Sequence, residues 1–332
     1  MKPLVILAGA TLLLASLAGC SSGNNEPQTH KSKTSSCLVT SSSDIAGSPV
    51  KQLANDLVEA KVAYGLNAKE VVVPVGSSSS EIQSLLFTSL QGGCVFFLSA
   101  EDTLNTEVSN FAAKHKYVVA LTVGGFSPAN QSPNVRWVAD DLKSGAALAG
   151  FAAAAKSTND RVLLVIQDDY FNSVELNKAF RAGVSAFNEN AAASVTVTKL
   201  NFTDANALQQ RLAKVDGAVV LALFADSAIW KKLDLSSRTA AVIGSDLQLG
   251  STLDTVNKGV VASVERNYNS LVLKVARDVL DKNFALDPIL MDPLALASGY
   301  IELRPLDDTV FDGTTIQLLE DYKALLVAQK QG

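Results

Sequence analysis

A series of short apolar runs in this chain each gives way to residues able to hold a polar molecule. CLVTS is followed by Asp44, CVFFLS by Glu101 and Asp102, and ALTVGG by Phe126. RVLLVIQ leads into Asp168, Asp169, Tyr170 and Phe171, GAVVLAL into Phe224, TAAVIGS into Asp246, and GVVASVE into Arg266. An ionised carboxylate accepts several hydrogen bonds at once, enough for two neighbouring hydroxyls, and an aromatic face stacks on a flat ring. A guanidinium presents donors in a fixed fork. Taken singly, each of these residues is equally well a helix cap or a turn. Taken together, they suit a polar, partly flat small molecule. Catalysis is not indicated. The chain has no Gly-x-Ser-x-Gly elbow, no phosphate-binding loop, no Cys-x-x-Cys and no His-Glu-x-x-His. Its two histidines, His30 and His115, stand apart, so acid–base work would fall to adjacent acids such as Asp140–Asp141 and Asp168–Asp169. The expectation is a binding protein, not an enzyme, with no catalytic residue, cofactor or metal.

The elements that position these residues alternate in type. Apolar runs of strand length, rich in Val, Ile, Leu and Ala, read as strands buried on both faces. Segments of helical length lie between them: Pro49–Tyr64, a stretch opened by a Ser78/Glu81 capping box, Leu104–Lys114, Ser144–Lys156, Ser173–Asn188 capped by Asn172 or Ser173, Asp204–Ala213, Ser227–Lys232, Tyr268–Leu280 and Thr315–Gln329. Strand–helix alternation implies right-handed crossovers and parallel sheets. The series restarts near residue 139. The expected fold is α/β, with two doubly wound parallel-sheet lobes, a hinge and a cleft between them. Lobe 1 is expected to span 37–138 plus about 266–290, and lobe 2 139–265 plus about 291–332. In such sheets ligands bind beyond the carboxyl ends of the strands, where the residues above lie.

The N-terminal residues point to a location. Lys2 precedes an apolar stretch, Leu4–Leu17, too short to span a bilayer comfortably. It ends in Leu-Ala-Gly-Cys, which resembles a bacterial lipobox. Residues 1–19 are therefore expected to be a signal peptide and Cys20 to be lipidated. Residues 20–36 offer almost nothing to a core and read as a disordered tether. The folded body would then sit on the extracytoplasmic face of the cell membrane. The net charge of −5, from 28 Lys and Arg against 33 Asp and Glu, argues against nucleic acid as a partner. Two further cysteines, Cys37 and Cys94, begin the apolar runs of the expected first and third strands. In a sheet of order 2-1-3 those strands are neighbours, so a disulfide is open to them outside the cytoplasm, as is a pair of buried thiols.

Four stretches carry a resemblance. NVRWVADDLKSGAALAGFAAA, KAFRAGVSAFN, IGSDLQ and GVVASVERNYNSLV resemble, in order, motifs of the basic membrane protein family. These are lipoproteins of the type I periplasmic binding protein fold that serve ABC importers, and characterised members bind purine nucleosides. The resemblance implies that Asp246 holds ribose hydroxyls, with Arg266 where the family has a lysine facing the sugar. It also implies a permease and an ATPase as partners. The base end departs from the family: Asp44 stands in for the acid of its first-strand motif with no aromatic after it, Phe126 lies where an acid is expected, and Phe171 is near a position filled by Leu176. The expected function is capture of a nucleoside or related sugar-containing molecule in the cleft. Two alternatives are a ligand sensor of the same fold signalling to a membrane receptor and a degenerate, non-binding envelope lipoprotein.

Overall fold

The structure, a computed structural model, describes residues 34–41, 49–124, 132–215, 219–225, 227–230, 232–235, 239–246, 259–283, 291–292 and 296–331. The first half runs β1 (Ser35–Ser41), α1 (Val50–Tyr64), β2 (Asn67–Val73), α2 (Ser79–Gln91), β3 (Cys94–Ser99), α3 (Asp102–Lys114), β4 (Val119–Gly124) and β5 (Val135–Ala139). The second runs α4 (Leu142–Lys156), β6 (Arg161–Gln167), α5 (Ser173–Ala191), β7 (Thr196–Phe202), α6 (Ala205–Leu212), β8 (Val219–Phe224), α7 (Ser227–Trp230), β9 (Thr239–Ser245) and β10 (Val260–Arg266). The chain closes with α8 (Asn269–Leu280), β11 (Met291–Asp292), β12 (Ile301–Pro305) and α9 (Gly313–Gln331).

Two sheets result. The first has the order β2-β1-β3-β4-β5-β11 and the second β7-β6-β8-β9-β10-β12. Their pairings are parallel except for β12, which runs antiparallel to β10. The two-lobed, doubly wound α/β fold read from the alternation is therefore present. Strand order reverses between β1 and β3 in one sheet and between β6 and β8 in the other. These are the switch points where such sheets open a crevice.

Local sequence explains the elements. Leu53, Asp56, Leu57 and Ala60 form the buried stripe of α1, and Gly65, at φ 69°, ends that helix by donating its N–H to Lys61 O. Ser78 and Glu81 form the capping box of α2. Asn172 sits at φ 56° and makes no side-chain cap on α5, which corrects the expected cap there. Helix α4 is apolar nearly all round and accordingly buried. It meets α5 backbone to backbone. A Cβ at Gly150 would overlap the carbonyl oxygen of Phe180, and one at Gly183 that of Ala147.

Cys37 and Cys94 are joined in a disulfide with Cα atoms 5.9 Å apart. Only Cys94 opens its strand, because β1 begins two residues before Cys37. The register shift between Ser35 and Ser36 lies beside the bridge.

The chain leaves the first lobe after β5 and returns through α8, which packs against α1, β3 and β4. Arg136 of β5, almost wholly buried, faces Asp278 of α8 at 3.7 Å. Met291 and Asp292 pair with Trp137 and Val138, so the first lobe reaches slightly beyond the expected crossing. Arg266 closes β10 in the second sheet instead of opening the return to the first lobe.

Candidate functional site

β9 and β10 lie side by side, with Val264 opposite Ser245. One residue on, Asp246 turns at φ 50°, a left-handed conformation that Asp tolerates better than most residues, and its N–H donates to Val264 O at 2.8 Å. Two neighbouring strands thus deliver Asp246 and Arg266 to one place. The Arg266 NH1 group donates to Asp246 Oδ2 at 2.8 Å, and its Nε donates to Asp140 Oδ1 at 3.2 Å. Tyr268, just past β10, donates its hydroxyl to the same Asp140 oxygen at 3.1 Å. The hydroxyls of Tyr170 and Ser245 are 3.0 Å apart.

This cluster also ties the lobes together. Asp140 lies in the first passage between them, Arg266 at the end of β10 in the second sheet, and Tyr268 in the second passage. The N–H of Asn267 donates to Tyr300 O at 2.8 Å, beside β12. The Tyr268 and Tyr300 rings lie 6.2 Å apart.

Burial sets the charge states. Side-chain exposure is 1% for Arg266 and Asp140 but 24% for Asp246. Burial alone would push the Arg266 guanidinium down, but Asp140 and then Asp246 outweigh it and hold the guanidinium further up than usual. Burial, then the charge of Asp246, raises the Tyr170 hydroxyl, and burial, then Asp140, raises that of Tyr268. Both tyrosines therefore stay protonated as O–H groups at any physiological pH. Asp140 Oδ2, fully enclosed, has no hydrogen-bond partner among the described residues. Asp246 is the member of the cluster with the most exposed side chain.

The first lobe adds a second polar group. Glu101, just past β3, accepts the Ser41 N–H at 2.6 Å and the Thr40 hydroxyl at 3.0 Å through Oε1. At the end of β4, Asn105 Nδ2 donates to Val123 O at 2.8 Å. A Cβ at Gly124 would come within 2.5 Å of Asp102 Oδ1 and 2.6 Å of Asn105 Nδ2, so a larger residue there would have to push these side-chain ends aside.

Of the expected site residues, the structure brings Asp246 and Arg266 together. Asp168 is exposed and Phe171 half-buried beyond β6. Phe224 is 1% exposed and packs in the core with its ring 6.2 Å from that of Tyr170, so it supports the cluster from beneath instead of offering a face to a ligand. Asp44, Phe126 and Cys20 lie outside the described residues. Sequence reasoning took Asp140 only as one of an adjacent acid pair and gave Tyr268 no role. The available signal was the placement of Asp140 straight after VRWVA, the same position relative to a strand that singled out the other acids.

No protein-family model matches the chain, and no curated protein does. Solved structures do match in fold. A solute-binding protein of an ABC transporter system from Conexibacter woesei aligns at TM-score 0.60 and 16% identity, covering 90% of this chain and 97% of that one. One from Aeropyrum pernix aligns at 0.59 and 16% identity, covering 90% of each. A transcriptional activator of the comK gene from Bacillus halodurans aligns at 0.58 and 14% identity, covering 88% and 97%. The fold is thus that of the type I periplasmic binding proteins, shared by transport and regulatory proteins. The resemblance to the basic membrane protein family rests on the four sequence motifs alone.

Proposed function

We propose that this chain is an extracytoplasmic solute-binding lipoprotein of an ABC importer, anchored through Cys20, and that a nucleoside or related sugar-containing molecule binds in the cleft between its lobes. The observation that carries this reading is the buried Arg266–Asp140–Asp246–Tyr268 cluster. It lies where the chain passes between the lobes, and we assign the acceptance of vicinal hydroxyls to Asp246, its most exposed carboxylate. Arg266 holds Asp246 in place through its 2.8 Å bond, so the ligand meets a preorganised acceptor. Hinge closure would bring the first-lobe strand ends onto the ligand's other side. The closed form would dock on a permease whose partner ATPase drives transport. The protein itself performs no chemistry.

The test is thermal unfolding of the purified full-length chain against nucleosides, free bases and sugars. A ligand at about 100 times its Kd adds about 2.7 kcal/mol of stability. The expected result is a raised Tm with nucleosides that is lost in Asp246→Ala. No shift with any of them would refute the nucleoside reading. The likeness to a comK activator favours a ligand sensor as the second reading. A sensor would show the same shift, but deleting its gene would leave nucleoside uptake intact.

A further inference from the structure

We infer that Glu101 makes the cleft reject anionic ligands, so that the molecule captured there is an uncharged or cationic hydroxyl and amine donor and not a phosphate ester or a carboxylate. This rests on the cleft being the ligand site, as proposed above. Open α/β sheets bind ligands in the crevice beyond the strand ends at the switch point, where an anionic group needs N–H donors to hold it. In the first sheet that point lies between β1 and β3. The donor that closes β1, the Ser41 N–H, is bonded at 2.6 Å to Glu101 Oε1, and the Thr40 hydroxyl is bonded to the same oxygen at 3.0 Å. The chain's own carboxylate therefore occupies these two donors in place of a ligand anion. It is half-buried, and its other oxygen, Oε2, takes part in neither bond.

The second lobe agrees independently. Arg266, the cation that closes β10, is held by Asp140 and Asp246 together. A ligand anion approaching it would have to displace a buried carboxylate. Both lobes thus present acceptors to the ligand, and Glu101 is a specificity-determining residue of the first.

The experiment compares inorganic phosphate with chloride at equal ionic strength, reading Tm over a titration of wild type, Glu101→Ala and Glu101→Gln in the full-length chain. The Ala variant removes the carboxylate from the Ser41 N–H. The Gln variant keeps an acceptor for it without the charge. Phosphate is expected to leave wild type unmoved and to bind Glu101→Ala roughly tenfold or more tightly, with Glu101→Gln between the two. A phosphate-dependent rise in wild type equal to that of the variants would overturn the assignment, as would variants no more responsive than wild type. Should Glu101→Ala not fold, Glu101→Gln against wild type decides on the same terms. Because the probe is phosphate, a failure of the nucleoside reading leaves this comparison intact and separately readable.

Discussion

Asp56 offers a quantitative test of how the first lobe is built. It lies on the apolar stripe of α1 and is 1% exposed. Gln52 Nε2 donates to its Oδ1 at 2.8 Å, and Asn269, the first residue of α8, is near enough to pull its pKa down slightly. Neither offsets burial, which with the charge of Glu59 raises the carboxyl from 3.8 to about 7. The folded state therefore binds a proton that the unfolded chain releases between about pH 4 and pH 7, so stability falls as pH rises across that window. A shift of about three units corresponds to about 4 kcal/mol, of which about 2.5 kcal/mol falls between pH 5 and pH 8. Asp56→Asn is nearly isosteric, keeps an acceptor for Gln52 and does not titrate. Comparing the two proteins by calorimetry cancels every other titration. The Tm of Asp56→Asn relative to wild type should rise by about 5 °C between pH 5 and pH 8, taking about 2 °C per kcal/mol for a chain of this size. Parallel pH profiles would refute the argument, because they would mean that water or a cation solvates the carboxylate despite its burial.

Two further predictions concern packing and cross-linking. Gly150→Ala and Gly183→Ala drive a methyl group into carbonyls across the α4–α5 contact, and each should lower stability in urea by about 1–3 kcal/mol, with an unchanged midpoint counting against the close approach. Replacing Cys37 and Cys94 by Ser removes a link with a sequence separation of 57, and chain-entropy reasoning assigns that link about 4 kcal/mol. The double variant should melt well below the oxidised protein and no longer respond to reductant.

The interior of the fold was legible because buried strands have no polar face to confuse the pattern. RVLLVIQ is β6 from end to end. Edge strands were not. β2 starts at Asn67 and β7 runs on through Asn201, because an edge half open to water carries polar residues that break an apolar run. Position at a strand end singled out Asp246 and Arg266. It could not say which way a terminal side chain points. Phe224 is buried with Val220 and Ala222 on one face of β8, a strand covered on both faces. The partnership of Arg266 with Asp140 spans 126 residues, and nothing periodic links the two. The Asn172 cap failed because a left-handed backbone turns the side chain away from the helix it precedes.

The return of α8 to the first lobe bears on how the protein matures. Its place on α1, β3 and β4 is filled by residues that follow β6 to β10 of the second lobe in the chain. As the polypeptide emerges N-terminus first, the early lobe waits, one flank uncovered, until more than a hundred further residues have arrived. Contacts of such long range form slowly, and uncovered apolar surface invites aggregation in the interval. The Cys37–Cys94 bridge needs only segments that appear early. It can pin β1 to β3 before α8 exists as a helix, holding half of the nascent sheet in register while the rest is made.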